Sequence, residues 1–331
     1  MNSFRTEIFL KKSTFTVDYH KKSIFIGSCF TKNIGSKLLE NQFPVLINPF
    51  GVLYNPLSVQ KALEIIIHKT EFTENDLHFR NDKWFSFDHH SSFSAPDKKE
   101  VLKKINSKID EAHSFLKEAE SLFITFGTSW YFKLQETNQV VANCHKLPSN
   151  LFNRKILNIE EIVHSWEKMI TQLKEFNPKL KVVFTVSPIR HWKDGAVNNQ
   201  LSKSILIVAI HEILKEFEHI SYFPSYEIMM DDLRDYRFYN DDFLHPNSQA
   251  INYIWDKFKS AFIEEDTIQI SKQVQKIVKA VNHRPFHPKT NSYKDFLGSN
   301  LDKIKQLNIK YPFIDFHEEK LYFTEEIEKY F

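Results

Sequence analysis

Short apolar, β-branched runs recur along the chain, and each leads into a stretch whose apolar residues fall three and four apart. Ser23-Ile24-Phe25-Ile26 ends at Gly27, and residues 31–39 then carry helical spacing. Val45-Leu46-Ile47 runs into the turn-forming Asn48-Pro49-Phe50-Gly51, and helical periodicity resumes over 58–68. Leu122-Phe123-Ile124-Thr125-Phe126 ends at Gly127, with its helix delayed to about 159–176. Val182-Val183-Phe184-Thr185-Val186 precedes a helix predicted over about 198–217, and Ile220-Ser221-Tyr222-Phe223 supplies a fifth strand.

Strands that are apolar throughout and alternate with amphipathic helices predict an α/β fold with a doubly wound parallel sheet covered on both faces. Ligands of such sheets bind beyond the carboxyl ends of the strands. That rule points at Ser28 and Cys29, at Phe50 and Gly51, at Thr128 and Ser129, at residues 187–191, and at the loop holding Asp242 and His245. Two inserts, at about 72–96 and 130–153, interrupt the alternation and are expected to wall the sheet end. The pattern predicts one α/β domain over 1–262 and a mainly helical appendage over 263–331.

Bulk composition narrows the class further. The 331 residues are 42% hydrophobic and 26% charged, which excludes disordered and fibrous classes. A net charge of +2, scattered along the chain, leaves no electrostatic footprint for nucleic acid. No apolar run reaches a membrane span, and the N-terminus lacks the order of a signal peptide, so the expected location is cytoplasmic. Cys29 and Cys144, far apart, are expected to be free thiols. With only six glycines, Gly27, Gly51 and Gly127 are expected to hold backbone positions that a side chain would spoil.

The chemistry concentrates in two places. Asp242-Phe243-Leu244-His245 precedes a helix predicted over 248–262, and an Asp three residues before a His in a tight turn can fix the imidazole tautomer and raise its basicity. Gly27-Ser28-Cys29-Phe30 closes the first strand. These blocks, with Gly51 and Gly127-Thr128-Ser129-Trp130 between them, resemble in order and position the blocks of SGNH (GDSL-like) hydrolases. More closely, the chain resembles the GSCFA family, through Gly27 to Phe30, Phe4-Arg5-Thr6-Glu7, residues 48–56, Asn143-Cys144-His145-Lys146 and Ser187-Pro188-Ile189-Arg190-His191.

The resemblance implies a three-layer α/β/α sandwich with a parallel, flavodoxin-like sheet. It also implies an esterase or acyltransferase that needs no cofactor or metal and acts on a small-molecule or glycan acyl ester, O-acetyl groups included. Aligned by its glycine, the family serine falls on Cys29 and its aspartate on Ser28, so either Cys29 or Ser28 is the nucleophile, with His245 as base and Asp242 behind it. Gly51, Thr128, Ser129 and a backbone amide would form the oxyanion hole, Ser129 standing where the superfamily has asparagine. Asn143, His145, Arg190 and His191 would hold polar or anionic substrate groups. Trp130, with Trp84, Phe85, Phe87, His89, His90 and Tyr131, would line an aromatic pocket. Two rivals remain: a non-catalytic carbohydrate- or acyl-binding module on the same fold, and a zinc site drawn from Cys29, Cys144, His145, His191 and His245, for which no ligand-pair spacing speaks.

Overall fold

The computed structural model describes residues 5–331. Phe4, the first residue of the N-terminal family segment, lies outside them. Five strands form the central sheet: β1 (Ser23–Gly27), β2 (Val45–Ile47), β3 (Ser121–Phe126), β4 (Lys181–Val186) and β5 (Ile220–Tyr222). They pair in parallel in the order β5-β4-β3-β1-β2, the flavodoxin-like winding with its switch point between β1 and β3. The strands are apolar throughout because both faces are covered. Ile24, Ile26, Ile124, Phe126, Val182 and Phe184 feed one hydrophobic cluster, whereas Phe25, Phe123 and Val183 feed another, the period-two alternation of a strand.

Helices α2 (Pro56–His68), α3 (Lys98–Glu118), α4 (Ile159–Phe176) and α5 (Gly195–Glu216) cover the first face. Helices α1 (Cys29–Leu39) and α6 (Ser248–Phe262) cover the second. Three further helices, α7 (Glu265–Val281), α8 (Asn291–Lys310) and α9 (His317–Tyr330), extend the second layer, so the acidic, aromatic end of the chain is helical. Their Val274, Leu297, Ile304 and Phe323 share a cluster with Phe25, Ile34 and Phe258.

Two local differences from the pattern-based expectation matter for the site. Helix α1 begins at Cys29 with Ser28 as its N-cap, two residues before the apolar spacing becomes visible. Helix α3, absent from that expectation, is capped by Asp97, whose carboxylate accepts the Glu100 N–H at 2.8 Å. It buries Val101, Ile105, Ile109, Ala112 and Leu116 on one stripe.

The two inserts pack on each other. The first carries a hairpin, His78–Arg80 with Lys83–Phe85, and the second a three-stranded antiparallel sheet built on Trp130–Leu134. Phe85, Phe87, Val141 and Phe152 form a small core between them. Among the described residues no helix is long and apolar enough to cross a membrane.

Candidate active site

The Asp242–His245 turn is held by its own backbone. Phe243 adopts φ 58°, a left-handed conformation uncommon for a bulky residue, which curls the following amides back onto the Asp242 carboxylate. Asp242 Oδ1 accepts the N–H groups of Leu244 and His245, each at 2.9 Å, and Oδ2 meets His245 Nδ1 at 2.6 Å. The two backbone donors, with the imidazole, hold the Asp242 carboxyl down at about 2, so it is ionised at neutral pH. With Nδ1 tied, His245 presents Nε2 as its free nitrogen, and its side chain remains 46% exposed.

His245 and Cys29 line one cavity of about 500 Å³ beyond the carboxyl ends of the strands. Gly27 makes the bend that delivers Cys29 there. It sits at φ 136°, and a Cβ on it would come within 2.2 Å of the Thr125 carbonyl oxygen of β3, which accepts the Ser28 N–H at 3.1 Å. Cys29, at the first position of α1, has its sulfur facing the N–H groups of Cys29 itself and Phe30. Burial pushes its thiol up, and those two amides and the Lys203 ammonium oppose the rise. Ser28 differs: it is 1% exposed, does not line the cavity, and its hydroxyl has no hydrogen-bond partner among the described residues. The structure therefore brings Cys29, not Ser28, to His245's cavity.

The loops after β3 and β4 are tied together from below by the first turns of α5. Lys203, with no exposed surface, donates to the carbonyls of Gly127 at 2.6 Å and Ser187 at 2.7 Å. Burial lowers its amine to about 7, the neighbouring Arg190 adding to the fall and Cys29 opposing it. Asn199 accepts the His191 N–H at 2.9 Å. The Ser202 hydroxyl oxygen accepts both the N–H and the O–H of Ser129, at 2.8 and 3.0 Å. Its own hydrogen then goes to Thr128 Oγ1, 3.0 Å away, which also accepts the Trp130 N–H at 3.1 Å. With two donors arriving at its oxygen, Thr128 keeps its own hydroxyl hydrogen uncommitted, and Thr128 lines the cavity.

That accounting corrects three expectations. Ser129 is no oxyanion donor in this arrangement: it is fully buried, and both its donors are taken by Ser202. Nor is Gly51, whose N–H closes a turn onto the Asn48 carbonyl at 2.7 Å. It is glycine at φ 76° because a Cβ would meet that of His90 at 2.2 Å. His145 turns away from the cavity, its Nε2 on the Ser86 carbonyl at 2.9 Å and its ring on Phe85. Asn143, Trp130, Arg190 and His191 do line it, with His90, Tyr54, Asn55 and Cys144. Phe85 and Phe87 belong to the core between the inserts, and His89 stacks on Phe50 at 4.4 Å. Burial, reinforced by Lys203, holds His191 down at about 4, so it is neutral in the folded protein. Both cysteines are free, and among the described residues no three His, Cys, Asp or Glu side chains converge as a metal site would need.

Comparison with known families adds identity to this geometry. A family model described as "GSCFA family" matches residues 22–258, which take in the Gly27 bend, the α5 ties and the Asp242–His245 turn. The chain belongs to the GSCFA family. A second model, "GSCFA domain protein, C-terminal domain", matches residues 274–329, from the second half of α7 through α9. No curated protein matches this GSCFA chain. Among solved structures it is similar to a carbohydrate esterase family 3 protein from Talaromyces cellulolyticus, at 13% identity and a TM-score of 0.34, over 76% of this chain and 98% of that one. It is also similar to an acetyl xylan esterase from the rumen bacterium Butyrivibrio proteoclasticus, at 11% identity and a TM-score of 0.35, over 73% of this chain and 64% of that one.

Sequence reasoning missed the α5 residues of this GSCFA protein. A signal for them existed. Asn199, Ser202 and Lys203 continue, in polar form, the inward stripe of Leu206, Ala209, Ile210 and Ile213, and polar residues on a core-facing stripe need buried partners. Tyr54, whose ring stands edge-on to His191 at 5.5 Å, and Asn55, the cap of α2, were missed because they sit in a turn with no chemical spacing of their own.

Proposed function

We propose that this protein is an SGNH-like thiol esterase or acyltransferase acting on acyl esters, O-acetyl groups among them, with Cys29 as nucleophile. One observation carries the reading: a thiol at the first position of α1 and a carboxylate-tethered imidazole open onto the same cavity. Because burial keeps the thiol protonated at rest, the proton must leave as attack occurs. Cys29 Sγ attacks the acyl carbonyl, its proton passes to His245 Nε2, and Asp242 stabilises the imidazolium. The tetrahedral oxyanion lies against the amides of Cys29 and Phe30 and the spare hydrogen of Thr128. As the C–O bond breaks, His245 returns the proton to the leaving alcohol. Water or an acceptor hydroxyl then attacks the thioester, yields its proton to His245, and the thiol is released and reprotonated.

Cys29→Ala and His245→Ala should each lower kcat/KM on a short aryl acyl ester by roughly 10²- to 10⁴-fold with unchanged near-UV circular dichroism. Brief reaction with iodoacetamide should do the same. Turnover that survives both substitutions would end the thiol mechanism, and loss confined to Ser28→Ala would move the nucleophile there. A non-catalytic carbohydrate- or acyl-binding role is the second reading, favoured by the engagement of Gly51 and Ser129 donors within the fold. A protein that binds an O-acetylated saccharide and leaves every ester intact would select it.

A further inference from the structure

A second cleft, of about 710 Å³, opens beside the first. The catalytic pair straddles the two: Asp242 lines the second cleft and His245 the first, and Arg190 lines both. Met229 and Leu233 form an apolar floor, and the exposed rings of Tyr236 and Phe243 form the rim, standing edge-on at 5.8 Å.

Arg190 is the chemical anomaly here. Its Nε is buried without a hydrogen-bond partner, and Nη2 donates only to the sulfur of Met230 at 3.3 Å. No carboxylate forms an ion pair with it among the described residues. The acidic residues that line this cleft are engaged, Asp235 with Arg237 at 3.6 Å and Asp242 with His245, and the neighbouring Asp231 pairs with Arg234 at 2.8 Å. A guanidinium keeps its charge at physiological pH, and a half-buried one without an anion lacks both the ion pair and the bidentate acceptor that its fork fits. Arg234 also lines the cleft, but its guanidinium pairs with Asp231 at 2.8 Å and so adds no second unpaired cation. His191 is neutral, and Lys203 does not line this cleft, its amine being held on the carbonyls of Gly127 and Ser187. A single unpaired planar cation beside an apolar floor matches a monoanionic carboxylate better than a phosphate dianion.

We propose that the second cleft binds a small carboxylic acid, its aromatic or branched apolar body against Met229, Leu233 and Phe243 and its carboxylate paired with Arg190. Resting on the function proposed above, it follows that the preferred ester carries this carboxylate and reaches the Cys29 cavity from that side.

Binding of non-hydrolysable ligands separates this proposal from the catalytic reading. By calorimetry on the full-length protein, 3-phenylpropanoate should bind on the order of tenfold more tightly than the neutral 3-phenylpropan-1-ol, the gain expected for one charge-assisted contact. Arg190→Met should erase the difference, and Arg190→Lys, keeping the charge without the fork, should retain part of it. Phe243→Ala, at an exposed rim position, should weaken acid and alcohol by a similar factor. Equal binding of acid and alcohol to the wild-type protein, which no folding defect can mimic, would overturn the proposal. So would a preference that survives Arg190→Met, or inorganic phosphate binding more tightly than the acid. An acid preference in a protein that turns over no ester would leave this site standing and remove the esterase.

Discussion

A lysine amine with no exposed surface needs an acceptor for every proton it keeps. Lys203 reaches two carbonyls, Gly127 and Ser187, which match the two N–H bonds of a neutral amine and leave the third proton of an ammonium only the Tyr226 ring, 5.6 Å away. That agrees with its fall to about 7. The unfolded chain holds the same proton to about pH 10.4. Between those values the unfolded state binds more protons, so this lysine makes stability rise as pH increases from about 7 to about 10, and below that window it adds no slope. The check is a comparison of urea midpoints for Cys29→Ala with and without Lys203→Met, the alanine removing the thiol that couples to the lysine. From pH 7 to pH 9 the lysine-bearing protein should gain on the methionine variant. A gap that stays constant would show that Lys203 keeps its proton in the fold.

At the scale of elements, α5 does more for the site than the strand ends it touches. Its stripe changes from apolar to polar over its first two turns, and those turns bind the loops after β3 and β4 into one platform. Ser202→Ala removes the acceptor of two buried Ser129 donors, which costs about 1–3 kcal/mol of stability, read as a lower thermal midpoint. It also removes the donor that leaves the Thr128 hydrogen free, so kcat on an acyl ester should fall while KM changes little. An unchanged kcat would take Thr128 out of the oxyanion site. These links also explain what the sequence could disclose. Asp242 and His245 are three residues apart, and Gly27 and Cys29 belong to one strand-turn-helix, so local spacing reveals them. Lys203 meets Gly127 across 76 positions, and nothing local announces that. At Gly51 and Ser129 the family pattern gives the position, but the direction of each N–H is set by Asn48 and by Ser202. Helix α3 escapes a hydropathy reading because lysine and glutamate dominate it, and only its stripe of buried residues shows the period.

On the scale of the whole molecule, the question is whether α7 to α9 form a unit of their own. The shared cluster argues that they complete the second layer, since Leu297, Ile304 and Phe323 lie in the same apolar mass as Phe25, Ile34 and Phe258. Other contacts cross as well: Ser271 donates a hydrogen bond to Asn41 at 2.7 Å, and the Phe313 and His20 rings meet with centroids 4.2 Å apart. A buried contact of this size couples the unfolding of the parts it joins. The placement of tryptophan makes that measurable, because all five, Trp84, Trp130, Trp166, Trp192 and Trp255, precede α7, whereas far-UV circular dichroism also counts the three C-terminal helices. Leu297→Ala, at a site with no exposed surface, should cost about 2–5 kcal/mol. If the layer is continuous, tryptophan fluorescence and circular dichroism will move together to a lower urea midpoint, although the substitution lies far in sequence from every tryptophan. An appendage that folds independently would give the opposite result: part of the helical signal would melt early, and the fluorescence transition would stay where it was.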